Sequence, residues 1–253
     1  MKKIIKKSLS LFLALVMLVG IIASTNVFAE GTFEKKVVSD LKAEKGFLKG
    51  KIEGTVDLRK TIEIESAVKV SEETPTIYTG KIKANVEAGD LFSGAYDVYK
   101  KEFKGQKDFR GKYWENIVMF NEGSEFPTAQ YTLKFPSNFK IDEKAIISTE
   151  NSEAISEITA KYKKEDNSVT ITIKLGNWND YKGFFELVEK ELEKSGHEIN
   201  VEIPYTINAE KIVGDELGVI EGKGNCYLYK CSGFGQGRIV TVDTVDEPII
   251  VRR

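Results

Sequence analysis

The feature that most constrains this chain is period-two alternation of apolar and polar residues, repeated along most of its length. Val169-Thr-Ile-Thr-Ile-Lys-Leu175 is the cleanest run. Ile62-Glu-Ile-Glu-Ser-Ala-Val-Lys-Val70 repeats it with a phase shift near Ala67, which predicts a bulge. Successive side chains of a strand point to opposite faces, so each run predicts a strand with one wet and one buried face. The same pattern predicts strands in the stretch from Leu48 to Leu58, over 77–86 with a break at Gly80, and over 113–120, 131–135 and 155–162. Further strands are predicted over 199–203, 205–207, 217–220, 226–229 and 239–242. Turn residues stand between them at Pro136-Ser-Asn138, Glu165-Asp-Asn167, Ser195-Gly196 and Gly222-Lys-Gly224. Many short strands at modest spacing predict an all-β, antiparallel β-sandwich rather than an α/β fold.

One segment breaks the pattern. Tyr181, Phe184, Phe185, Val188 and Leu192 form a helical stripe. It predicts an amphipathic helix over about residues 180–194, capped by Asn179 or Asp180, ended by Ser195-Gly196 and packed on the sandwich. Residues 31–45 read either as a short helix, from Phe33, Val37 and Leu41, or as an extended lead-in strand. The segment 100–111 is basic and lacks clean periodicity. As a boundary it divides an N-terminal β unit, 30–108, from a sandwich domain, 109–253; it reads equally as a solvated loop between strands.

Residues 1–29 have the three parts of a secretory signal peptide: Lys2, Lys3, Lys6 and Lys7, then an apolar run from Leu11 to Ile22, then Val27-Phe28-Ala29 before Glu30. The apolar run is short for a membrane span, which needs about 20 residues. The expected product is therefore exported, meets the membrane only through the leader before cleavage, and is extracellular or associated with the cell surface. With no Leu-Pro-x-Thr-Gly motif, it is expected to be released or held at the surface by contacts. From Glu30 onward 33 basic residues face 39 acidic ones, a net charge of −6. That balance argues against nucleic acid as a partner.

Catalytic chemistry is sparse. The single His197 allows no multi-histidine metal site and no triad except through itself. Ser232-Gly-Phe-Gly-Gln-Gly237 lacks the spacing of a dinucleotide loop and precedes a strand, so it reads as a hairpin loop. Glu115, Glu122, Glu125 and Asp180 lie beside Trp114 or Trp178, yet no spacing marks a glycosidase pair. Asp243, Asp246 and Glu247 read as a solvated turn rather than a calcium loop. No catalytic residue, cofactor or metal is expected, and the chain reads as a non-enzyme. Cys226 and Cys231 either face each other across a turn at Leu228-Tyr229 or lie on opposite faces of one straight strand. Leu-Tyr is poor turn chemistry, which favours the straight strand and two buried thiols.

The best binding candidate is basic and aromatic. Tyr96, Tyr99, Phe103, Phe109 and Tyr113 interleave with Lys100, Lys101, Lys104, Lys107, Arg110 and Lys112. Such a segment can grip an anionic polymer, with Lys101, Lys104 and Lys107 as the contacts. The alternative is a solvated loop whose aromatics are tucked into the core.

Two blocks carry a resemblance: Tyr131-Thr-Leu-Lys-Phe-Pro-Ser-Asn-Phe-Lys-Ile141, and Leu175-Gly-Asn-Trp-Asn-Asp-Tyr-Lys-Gly-Phe-Phe185 followed by Ile203-Pro-Tyr-Thr-Ile207. They resemble the Ig-like modules of Gram-positive surface adhesins over residues 112–245. The resemblance implies an Ig-like sandwich and a non-catalytic, adhesin-type binding protein, whose partner is a host or cell-wall polymer or protein. A carbohydrate-binding or carbohydrate-active protein is the alternative. Some such modules carry a Lys–Asn or Lys–Asp cross-link with a catalytic acid; the sequence singles out no such trio. The chain lacks their wall-sorting tail and repeated modules.

Overall fold

The computed structural model describes residues 35–46, 50–176, 180–232, 235–246 and 248–253. The leader, Leu48, Trp178, Asn179 and Glu247 lie outside the described residues. The chain begins with β1 (Val38–Lys45), β2 (Gly50–Asp57), β3 (Ile62–Ile64), β4 (Val68–Lys69) and β5 (Ile77–Glu87), then forms helix α1 (Ala88–Glu102). After a loop come β6 (Thr128–Lys134), β7 (Phe139–Ile141), β8 (Ile147–Glu150), β9 (Ile155–Lys163) and β10 (Ser168–Leu175). Helix α2 (Tyr181–Leu192) precedes β11 (Glu198–Asn208), β12 (Glu216–Ser232), β13 (Gly235–Thr244) and β14 (Pro248–Arg252).

The strands form two sheets. One runs β1-β2-β13-β12-β6-β10-β9, with β14 beside the start of β12. The other runs β3-β5-β11-β7, with β4 on β5 and β8 on β11. All pairings are antiparallel except β2 with β13. Strands from both sides of residue 108 share these sheets, since β2 pairs β13 and β5 pairs β11.

Alternation does what it predicts. In β11, Ile199, Val201, Ile203, Tyr205 and Ile207 are buried while their neighbours are not. The last four meet Val169 and Ile171 of β10, Leu133 of β6, and Leu217 and Ile220 of β12, making a sheet-on-sheet core, while Ile199 joins the core under the helices. The interrupted run over 62–70 becomes two strands, β3 and β4, separated around Ala67. Residues 38–45 take the extended option as β1, and the chain forms the expected sandwich with an amphipathic helix packed on it.

Four details differ from expectation. Residues 113–120 are not a strand: a 3-10 turn, Trp114–Asn116, is followed by single bridges, Val118 to Asp180 and Phe120 to Tyr229. Strand β5 is unbroken at Gly80, where the Tyr205 ring occupies the place a side chain would take. Strand β11 runs through Pro204, which falls between the partners β8 (at 199–202) and β7 (at 205–207), so that edge calls for no N–H there. The runs 217–220 and 226–229 are one strand, β12, with a register shift at Leu228/Tyr229.

Helix α1 was not legible as a helix. Phe92, Tyr96, Tyr99 and Phe103 have helical spacing and are buried, but Gly89 and Gly94 lower the local propensity. The structure supplies the reason for Gly94: a β-carbon there would run into Ser39 of β1, so the glycine lets helix and strand approach. Helices α1 and α2 pack together through their rings. Tyr99 stacks on Phe185 at 4.5 Å, Phe92 meets Phe184 edge-on at 5.3 Å, and Phe103 meets Tyr181 at 5.7 Å.

Candidate polyanion-binding tip

Burial divides the basic, aromatic segment in two. Tyr96, Tyr99 and Phe103 belong to the helix core, so the first half follows the tucked-in alternative. The Phe103 N–H closes the helix on the Tyr99 carbonyl at 2.8 Å, and the chain then doubles back. Lys107 bridges to Tyr113. Between them the Asp108 carboxylate accepts from the backbone N–H groups of Arg110 and Lys112, both at 2.9 Å, and Gly111 supplies the left-handed turn residue at φ 77°. Glu115 likewise accepts from the Gly105 N–H at 2.8 Å. Both acids of the loop are thus committed to shaping it.

What the loop presents is cationic and aromatic. Phe109 is 52% and Tyr113 42% exposed. The Arg110 guanidinium lies 5.0 Å from the Phe109 ring centre, and the Lys107 amine 4.7 Å from that of Tyr113. A cation over an aromatic face gains about 0.5–1 kcal/mol at exposed sites, enough to bias these side chains without fixing them.

The three lysines proposed as contacts share one end of the helix pair but not one surface. Lys101, with its side chain 82% exposed, sits 3.8 Å from Glu102 and borders a groove with Ser39 and Lys42 of β1. Lys104 reaches to within 3.8 Å of Glu189 on α2. Of the three, only Lys107 lies in the exposed aromatic loop. Glu189 also accepts the Tyr96 hydroxyl at 2.5 Å; that bond holds its carboxyl below the usual range, while burial and then Glu189 push Tyr96 up to about 12.

Of the remaining candidates, Trp114, Glu115, Asp180, Asp243 and Asp246 have structural duties in their side chains, and Glu122 and Glu125 in their backbone. Trp114 is buried against Phe103 at 6.1 Å. Glu115 is spent on Gly105, as above, and the Asp180 carboxylate caps α2 by accepting from the Gly183 N–H at 2.7 Å. Glu122 opens a 3-10 turn, Glu122–Ser124, and the Glu125 carbonyl accepts from the Asn121 N–H at 2.9 Å. Asp246 accepts from the Thr244 hydroxyl at 3.2 Å, and Asp243 from that of Tyr227. Ser232 pairs with Gly235, as a hairpin requires.

His197 is half-buried and paired. Its Nδ1 lies 2.8 Å from Glu191, a carboxylate only 1% exposed that also accepts the Glu153 N–H at 3.0 Å. It sits between the end of α2 and the start of β11. Cys226 and Cys231 share β12 as a straight strand. Cys226 is a free thiol, 3.8 Å from the Thr128 carbonyl, and burial pushes it up to about 12, which leaves it unreactive. The side chain of Cys231 lies outside the described residues.

Two groupings escaped sequence reasoning, the first because it joins distant parts of the chain and the second because it needs the register of a hairpin. Lys35 lies 2.7 Å from Glu198, whose other oxygen accepts from the Asn85 amide at 2.8 Å. Lysine, amide and acid therefore do meet. They are half-exposed, and Lys35 first, then Asn85, hold the Glu198 carboxyl below its usual range. An ionised, hydrated carboxylate makes this an ion-paired network, not an acid poised beside a nucleophile. On the other sheet, Arg238 of β13 lies over the rings of Tyr227, at 4.5 Å, and Tyr229, at 5.4 Å, and donates to the Tyr229 hydroxyl at 2.9 Å. The i, i+2 tyrosines in a strand were the available signal.

No protein family matches the chain, and no curated protein matches it in sequence. Among solved structures it is similar to the collagen-binding domain from a Staphylococcus aureus adhesin, at 9% identity over 76% of this chain and 97% of that one, with a TM-score of 0.33. It is similar also to the collagen-binding subdomain of the Enterococcus faecalis surface protein ACE, at 8% identity over 76% and 94%, TM-score 0.31. A third is BcpA, the major pilin subunit of Bacillus cereus, at 12% identity over 86% of this chain and 40% of that one, TM-score 0.27. These are Gram-positive adhesin and pilin domains, and at such identities the likeness is one of fold alone. No helix among the described residues is long and apolar enough to cross a membrane.

Proposed function

We propose that this protein is an exported, non-catalytic binding module of adhesin type, acting at or beyond the cell surface, which contacts an anionic polymer or protein of host or wall origin through residues 101–113. The observation that supports this reading is the loop itself. Phe109 and Tyr113 are exposed beside Arg110 and Lys107, while the acids of the loop are bound to its own backbone. A net charge of −6 from Glu30 onward does not oppose it. The Debye length is about 8 Å at physiological salt, so distant carboxylates are screened.

Heparin, a soluble polyanion, is the probe. Weak retention at low salt, lost early in a gradient, is the expected result, since each released counterion makes binding fall with salt. Replacing Lys107, Arg110 and Lys112 by Ala should abolish retention, and replacing Lys101 and Lys104 should reduce it less. No retention at low salt, or retention untouched by either change, would return the segment to a solvated loop.

A second reading rests on the Tyr227–Arg238–Tyr229 group. Two rings on an open sheet face are a stacking platform for a sugar. Neutral glycans captured on an array by the protein, and lost with Tyr229→Ala, would favour carbohydrate binding instead.

A further inference from the structure

The helix pair does not settle fully onto the sheet. Between them lies a cavity of about 130 Å³. Its floor is one face of adjacent strands, with Ile52 from β2, Val240 from β13, Leu228 from β12 and Ile173 from β10. Its roof is Phe92 and Ala95 of α1 with Phe184 and Phe185 of α2. Protein interiors hold few voids larger than a water molecule. A dry, apolar void of about 150 Å³ is large enough to take up benzene. The space exists because small side chains, Ala95 in the roof and Ala129 and Cys226 in the floor, stand where larger ones would fill it.

We propose that this cavity is a binding site for one small, uncharged, apolar group, an aromatic ring or the end of an alkyl chain. The wall chemistry selects for it. The hydroxyl of Tyr181 is already committed to the Ile239 carbonyl at 2.8 Å, and the Cys226 thiol is turned to the Thr128 carbonyl. Among the described residues, Asp243 is the one charged group on the wall, beside the uncharged polar residues Gln130, Asn225 and Thr244, and no lysine, arginine or histidine joins it. An anionic head group would meet a carboxylate there and no cation. At the border of the helix cover, Leu58 and Tyr131 also line a second cavity, of about 150 Å³, walled by Arg59, Ile62, Ile64 and Pro248. The site is separate from the basic tip and does not depend on it.

The test is thermal unfolding of the protein with benzene, and with benzoate at equal concentration. A ligand that binds only the folded state raises the melting temperature. Benzene should raise it saturably and benzoate should not. Ala95→Leu, which fills the space, should abolish the benzene shift. If that variant does not fold, Ala129→Leu replaces it, and benzene should move the methyl resonances of Ile173 and Val240 in the unaltered protein. No benzene shift, an equal shift with benzoate, or a shift that survives the filling substitution would overturn the proposal.

Discussion

Along β12 the cover changes: Leu217 and Ile220 lie under the second sheet, whereas Leu228 lies under two helices. The sheet-covered half is mostly β-branched and aliphatic, with Ile207, Val169, Ile220 and Val251 fully buried and four aromatics, Tyr78, Phe135, Phe139 and Tyr205, among them. The helix-covered half is aromatic, with Phe92, Tyr96, Tyr99, Phe103, Tyr181, Phe184 and Phe185 in mutual contact. The difference is geometric. Two pleated sheets interlock at a fixed spacing near 10 Å, which medium side chains fill evenly. Helices sit on a sheet less regularly, so large planar rings bridge the gap and leave space where they do not. Two cavities meet at this border, sharing Leu58 and Tyr131.

The largest effect tests whether the two halves are one cooperative structure. Phe185→Ala should cost about 3–5 kcal/mol and Ile207→Ala about 2–5 kcal/mol through lost transfer and a new cavity. Because β12 runs through both cores, each variant should unfold in a single urea transition with the unaltered slope. A second transition in Phe185→Ala alone would show that the helix half melts by itself, and the comparison would become one between two domains.

The same division governs what the sequence reveals. Period-two alternation is a local property, so β10 and β11 are legible residue by residue. Helix α2 is legible because its stripe follows a capping Asp180 and carries no interior break beyond Gly183. Helix α1 was hidden because its glycines answer to β1 and α2, contacts that no local window contains. The site follows the same rule. Lysines and aromatics at residues 96–113 are visible in the sequence, but which rings are buried depends on α2. That is why Tyr96, Tyr99 and Phe103 left the candidate surface while Phe109 and Tyr113 stayed. The Arg238–Tyr229 contact needed the register of β12 with β13.

A smaller effect comes from buried phenols, which are concentrated in the helix half. Burial pushes Tyr96 up to about 12 and moves Tyr99 and Tyr181 upward; in the sheet half it raises Tyr205, and at the border it takes Tyr131 to about 12. An unfolded tyrosine titrates near 10. Raised values mean the fold holds protons that the unfolded chain has released. Their contribution is therefore complete below about pH 10 and is lost as pH climbs through about 12, by about 1.4 kcal/mol per pH unit for each such group. Urea midpoints from pH 9 to 12 should show the decline, and Tyr96→Phe should make it shallower. A decline unchanged in Tyr96→Phe would place the alkaline weakness on the other buried phenols instead, Tyr99 and Tyr181 in the helix half or Tyr205 in the sheet half.

The smallest effect separates the two helices. At the start of α2 the Asp180 carboxylate accepts the Gly183 N–H, whereas the Glu87 side chain caps nothing at the start of α1 and accepts from Gly196 instead. Helix α1 is anchored there by the backbone, through the Ala88 N–H and the His197 carbonyl at 2.9 Å. Removing a cap costs about 1 kcal/mol when Ala replaces Asp, and little when Asn does, because the Asn oxygen accepts the same bond. Asp180→Ala should therefore lower the urea midpoint by that amount and Asp180→Asn should nearly restore it. If Asn proves as costly as Ala, the carboxylate acts through its charge on the helix dipole rather than through the bond. Glu87→Ala should leave α1 in place, its entry being fixed by β5 before it and β11 beside it.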